Sequence, residues 1–231
     1  MKLFTERGLR RFCLSMTTVF VGCFGAAMVL YPGGTWFDRQ TRGHSMWKNF
    51  LCDLLHEQAL NGADNRLVSR LMRTGMLAML AGLAAFFALV PALEREETRA
   101  GRLARRAGVL ACALCCAVPL TPSDVYPRGH IAAVLVACVP ALFAVPAALV
   151  VCLRSPRASM AVRALAALTL VNGVLDTLGY AYAAATTTHL LDWTLPVFQR
   201  LALFALLGWI VALCAGVAND RSEAPAPARA P

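Results

Sequence analysis

Six long runs of apolar residues, at about 12–31, 71–91, 105–121, 130–153, 161–184 and 196–217, dominate this chain of 231 residues. A helix rising about 1.5 Å per residue needs about 20 such residues to cross a bilayer core. In hydrocarbon a helix satisfies its own backbone groups within one segment. The runs therefore predict an all-α, polytopic membrane bundle of six transmembrane helices. Composition excludes a large soluble domain, because 58% of the residues are hydrophobic and only 15% charged, against about 25% charged in soluble domains. A single membrane domain over 1–218 is expected. The first run resembles a secretory signal in position, but its length and the lack of an A-x-A cleavage site make it a retained helix. The end of the chain, 219–231, contains EAPAPARAP and is expected to be a disordered cytoplasmic tail.

The net charge of +9 does not indicate nucleic acid, because the arginines stand at the ends of apolar runs instead of on one basic face. They act as topology signals. Fourteen Lys and Arg side chains flank one side of the predicted bundle, among them Arg7, Arg10, Arg11, Arg95, Arg99, Arg105, Arg154 and Arg157; eight flank the other. The richer side is expected in the cytoplasm, with both termini, and the location expected is the cytoplasmic (inner) membrane. Eight of the nine cysteines fall inside apolar runs and read as small hydrophobes. Cys112 and Cys115 form a CxxC, but no second pair stands at zinc spacing.

The loop 32–70 is the one sizeable non-spanning segment, and YPGG opens it as a turn. Within it WKNFLCDLLHEQAL places Trp47, Phe50, Leu51, Leu54 and Leu55 at helical spacing, with Asp53, His56 and Glu57 opposite. That pattern predicts a short amphipathic outer-surface helix over 46–60. The ten residues TPSDVYPRGH then join the third and fourth spans and bring Asp124 and His130 to the same side. All four histidines, His44, His56, His130 and His189, are expected on that side, as is Asp192.

Asn49, Asp53, Asp124 and His130 are accordingly the candidates for a polar outer site. Asn172 and Asp176 in the fifth span, with Gln199 and Arg200 in the first turns of the sixth, are the intramembrane polar candidates. An ionisable group there costs about 2.5–3.5 kcal/mol on insertion scales and is a functional-site hypothesis by default. Antiparallel neighbours would put Asp176 and Arg200 within reach of each other. The alternatives are an Arg200 that snorkels outward and an Asp176 bonded to Asn172 or Tyr180.

NFLCDLL, TPSDVYPRGH and QRLALFALLGW together resemble the pattern of a six-helix prokaryotic membrane family, catalogued as a domain of unknown function, number nine hundred and ninety-eight. Its members carry N-x-x-S-D-L after the first helix, P-x-D and a His before the fourth, and Q-R at the start of the sixth. The resemblance spans about 12–217, with Cys52 where that pattern has Ser. It implies the six-helix architecture and no established activity.

Three functional readings follow. In the first, the outer polar groups and the helices bind a lipid or small amphiphile, with membrane lipids as partners. In the second, Asp53, Asp124 and His130 hold a divalent metal that activates water in an intramembrane hydrolase. In the third, these groups cap helices and bridge loops in a structural or accessory membrane protein. No Walker, Rossmann, G-x-S-x-G or H-E-x-x-H pattern occurs, so nucleotide-driven and serine-hydrolase chemistry have no support.

Overall fold

Thr5 opens the first helix by accepting a hydrogen bond from the Gly8 amide at 3.1 Å, and that helix runs Glu6–Leu30. Five further helices follow: the second at Arg66–Leu89, continued as a 3-10 turn to Leu93, the third at Arg99–Cys115, the fourth at Pro127–Arg154, the fifth at Met160–Thr186 and the sixth at Leu195–Asn219. A short helical piece, Ala117–Leu120, trails the third. The computed structural model of the chain describes residues 5–186 and 194–219. All six helices are long and apolar enough to cross a membrane, and the protein is a multi-pass membrane protein. The expectations for His189, Asp192 and all but the first residue of the tail fall outside the described residues.

The second helix is the centre of the bundle. Half of its apolar window is buried, against 17% for the fifth, which lies at the periphery. The second packs between the first and third, the fourth packs on the third, and the sixth pairs with the fifth while touching the first. The core draws Phe20 and Phe24 from the first helix, Met72 and Phe86 from the second, Ala104 from the third, Ala148 from the fourth and Trp209 from the sixth. Phe86 meets the Trp209 ring edge-on at 4.9 Å, a favourable aromatic geometry.

Small residues let the central helices approach closely. A Cβ at Gly108 would overlap the Phe87 ring, and one at Gly82 would sit 3.1 Å from the Met16 Cβ. This is the small-residue packing expected where no hydrophobic effect drives helices together.

The fourth and fifth helices touch chiefly near their connection at 155–159. There Val151, Cys152, Ala158, Val162 and Ala166 are buried. Toward the other end, Leu135, Val139 and Leu142 of the fourth helix and Val171, Val174 and Leu178 of the fifth are exposed. Pro140 and Pro146 lie within the fourth helix, where each removes a backbone bond and permits a bend.

The segment 46–60 departs from expectation. Only Leu51–Leu55 is helical, as a 3-10 turn. Trp47 is 49% exposed while Asp53 is 1% exposed, which reverses the predicted faces for these two. Side chains decide this. Asn49 and Asp53 accept from nearby backbone amides and so offer the chain an alternative to a continuous helix.

The packing makes a prediction at Gly108. Replacement by Val should destabilise the protein in detergent by about 1–3 kcal/mol through overpacking. Gly25→Ala, at a site where a Cβ meets nothing within 4 Å, should not. Equal thermal unfolding of the two variants would contradict the close contact of the second and third helices.

Candidate functional site: a polar cap on the bundle

Residues 31–65 fold into a cap over one end of the bundle. The YPGG turn starts it, with Gly33 and Gly34 at φ of 140° and 88°. At Gly34 the chain passes so close to Asn61 that a Cβ would lie 2.4 Å from its amide nitrogen, which leaves room for glycine alone. The Tyr31 hydroxyl accepts from the Leu60 amide at 3.1 Å and ties the two ends of the cap together. Burial pushes this phenol up to about 12.

Asn49 is the hub. Its Oδ1 accepts from the Ser45 amide at 2.9 Å, and its Nδ2 donates to the Gly34 carbonyl at 2.9 Å and to Asp53 Oδ2 at 3.0 Å. Asp53 Oδ1 accepts from Trp36 Nε1 at 3.0 Å, and its Oδ2 also accepts from the Phe50 amide at 2.8 Å. Below them lies Arg200, fully buried. Its Nε donates to the Met46 carbonyl at 3.1 Å and an Nη to the Asn49 carbonyl at 3.0 Å. The guanidinium also stands over the Phe24 ring at 5.5 Å. Gln199 accepts from the Leu51 amide at 2.7 Å. Asn49, Asp53, Gln199 and Arg200 thus form one network joining cap to sixth helix. Asp53 and Arg200 do not touch but share Asn49.

The connection between third and fourth helices forms the cap's flank. Asp124 Oδ2 accepts from the Glu57 and Gln58 amides at 2.7 and 3.1 Å. His56 Nε2 pairs with the Ser123 hydroxyl at 2.8 Å. The buried His130 donates from Nδ1 to the Thr121 carbonyl at 2.7 Å, closing the turn beneath its own helix. On the opposite flank Ser69 donates to the Leu55 carbonyl at 2.6 Å and Arg73 pairs with Glu57 at 2.7 Å. Asp124 and His130 bind separate backbone groups and do not hydrogen-bond Asn49 or Asp53. Among the described residues no three His, Cys, Asp or Glu side chains are placed to hold a metal. Asp53, Asp124 and His130 each bond elsewhere.

The anticipated Asp176–Arg200 pair does not form, because the cap carbonyls take the guanidinium donors first. Asp176 Oδ1 is instead buried with no hydrogen-bond partner, and none of the ion pairs among the described residues includes it. It does not bond to Asn172, whose Nδ2 turns back to the Leu168 carbonyl at 2.8 Å.

Asp176 stands one turn below the cap's edge. Tyr180, four residues on, lies 5.6 Å from Phe50 of the cap, ring to ring. Cys52 sits close by, its thiol pushed up to about 12 by burial, with Asp53, Cys115 and Asp176 adding to the shift and Arg200 opposing it. The cap thus meets the fifth helix where Phe50 faces Tyr180.

Elsewhere, a groove of about 510 Å³ between the first and sixth helices is lined by Thr17, Val21, Gly208 and Val211 among others. Its hydroxyls, on Thr17 and Thr18, donate to their own helix at Cys13 and Leu14. It therefore offers a ligand hydroxyl lone pairs but no free donor and no charged group.

Sequence reasoning found Asn49, Asp53, Gln199 and Arg200 but missed Trp36, Ser69 and Tyr31. A Trp near a Gly-Gly turn, in a loop that also carries carboxylates, is a signal for the first, since an indole N–H withdrawn from water needs an acceptor. The backbone partners of the other two, the Leu55 carbonyl for Ser69 and the Leu60 amide for Tyr31, leave no trace in the sequence. No family model, curated protein or solved structure matches the chain.

The cap carries a pH signature. Both ring nitrogens of His44 are buried without a hydrogen-bond partner, and burial, then the Arg200 charge, lowers the imidazole from 6.5 to about 4. Between those values the unfolded chain binds a proton that the folded protein refuses. This contribution to stability is intact above pH 6.5 and falls as pH drops toward 4. Asp53 opposes the trend, because burial raises its carboxyl above the usual 3.8 despite bonds from Asn49, Trp36 and Phe50. Comparison of His44→Phe with the parent protein isolates the histidine. The parent should lose stability relative to the variant across that window, on the order of 1 kcal/mol or more. Parallel pH profiles of Tm would contradict the buried neutral imidazole.

Proposed function

We propose that the protein binds a membrane amphiphile, a lipid or small molecule with one polar end, on the flank of the fifth helix beneath the cap. The cap faces the outside of a cytoplasmic membrane in this reading, with both termini inside. The arginine-rich connections at the opposite end, around Arg95–Arg106 and Arg154–Arg163, support that orientation. Membership of the six-helix family is part of the same proposal, and what supports it is that its three motifs meet at the cap through Asn49, Asp53, Asp124 and Arg200.

The carrying observation is the buried, unpartnered Oδ1 of Asp176. A polar atom without a partner in an apolar setting is costly, on the order of 1–3 kcal/mol, and is retained where a ligand supplies the missing bond. In the cap the unpartnered atoms are the His44 ring nitrogens and Asn65 Oδ1, while Asn49, Asp53 and Arg200 are engaged with one another's residues and the cap backbone. Val174, Leu175 and Leu178, on the faces of the fifth helix turned away from Asp176, are exposed, so the helix meets acyl chains at this depth. Binding without chemistry fits this arrangement better than metal-assisted hydrolysis, because the three metal candidates are committed to separate partners.

Native mass spectrometry of the full chain, released from nanodiscs of mixed membrane lipids, tests the reading. The parent protein should retain a lipid-mass adduct, and Asp176→Leu should lose it at unchanged fold. Absence of any adduct, or one indifferent to Asp176, would refute the site.

A further inference from the structure

We infer that the polar end recognised beside Asp176 is a primary ammonium, the headgroup of an amine-bearing lipid of the cap-side leaflet. This inference rests on the amphiphile site proposed above and names its ligand class.

Thr169, Asn172, Asp176 and Tyr180 recur at steps of three and four, so they share one face of the fifth helix. On that face two side chains donate back to their own helix. Thr169 Oγ1 donates to the Leu165 carbonyl at 2.8 Å, and Asn172 Nδ2 donates to the Leu168 carbonyl at 2.8 Å. Beside it Thr177 Oγ1 donates to the Gly173 carbonyl at 2.8 Å. Acceptors remain along this part of the helix: the Asn172 Oδ1, hydroxyl lone pairs and the Asp176 carboxylate with its unpartnered Oδ1. An acceptor stripe around a carboxylate selects a group with several N–H donors and a positive charge, which an ammonium provides.

Three further features agree. Arg200, the nearest buried cation on the sixth helix, has its Nε and both Nη groups engaged with Met46, Asn49 and Gln199, so Asp176 lacks a counter-charge of its own. The Phe50 and Tyr180 rings, 5.6 Å apart, stand one turn outward, and aromatic faces attract ammonium ions. The depth also suits a headgroup. Gly179 faces Leu195, the first residue of the sixth helix, so Asp176 lies about 4.5 Å below that helix's start at 1.5 Å per residue. Val174, Leu175 and Leu178, on other faces of the helix at the same level, are exposed, which sets Asp176 at the depth of lipid tails and favours a lipid over a free amine.

The test is an N-methylation series on the purified full chain in nanodiscs, read by retention in native mass spectrometry. The probes are phosphatidylethanolamine, its N-methyl and N,N-dimethyl forms, phosphatidylcholine and phosphatidylglycerol of one tail composition. Retention should fall with each methyl group and be lower by about tenfold or more for phosphatidylcholine and phosphatidylglycerol. Asp176→Asn should remove the preference while leaving Tm near the parent value. Equal retention of all five lipids would overturn the ammonium assignment and leave the amphiphile site standing; no retention of any would overturn both. Free ethanolamine competing as well as the lipid would overturn the lipid source. Stabilisation by sodium chloride over choline chloride, without lipid preference, would assign the carboxylate to a metal cation instead. The series on the parent protein decides the question even if the variant fails to fold.

Discussion

A guanidinium buried in a membrane helix dictates the shape of one whole end of this protein. Arg200 is shielded from solvent and lipid, and a charge so placed is stable only with its donors satisfied. Two of its partners are backbone carbonyls, at Met46 and Asn49. Both belong to the cap, so the cap is part of the solvation of the sixth helix and not a loop laid over it. Remove the cap and the charge loses its acceptors; remove the charge and the Met46 and Asn49 carbonyls lose their donors.

From those carbonyls order spreads outward. Asn49 uses Oδ1 on Ser45 and Nδ2 on Gly34 and Asp53, which places three parts of the cap by one side chain. Asp53 then accepts from the Trp36 indole and the Phe50 amide, and Asp124, in the third–fourth connection, accepts from the cap's Glu57 and Gln58 amides. Such a network rigidifies because its members are satisfied. Those bonds also leave Asn49, Asp53 and Asp124 committed to the fold, and this is why the proposed function moves from the cap to the unpartnered Asp176 beneath its edge.

The six spans were legible in the sequence because a bilayer tolerates few alternatives to about 20 apolar residues in a helix. The costly residues were legible for the same reason, and Asn49, Asp53, Gln199 and Arg200 do converge. Their partners were not. Arg200 had a carboxylate and a set of carbonyls within reach, and only the carboxylate has a letter in the sequence. The apolar periodicity of 46–60 pointed to a helix, but Asn49 and Asp53 bond the local backbone and break it after one 3-10 turn. TPSDVYPRGH showed that Asp124 and His130 stand at the same end as the cap. Its role as a clamp on amides 57 and 58 depends on a contact 66–67 residues away in the chain, which no local pattern encodes.

The coupling between Asp53 and Arg200 tests this account most directly. The two side chains do not touch, but both bind Asn49, so a double-mutant cycle of Asp53→Asn and Arg200→Met, read by thermal unfolding in detergent, reports whether cap and helix form one unit. The account predicts a coupling of about 0.5–3 kcal/mol. Additive effects, with a coupling near zero, would contradict it and return the cap to an independent surface loop.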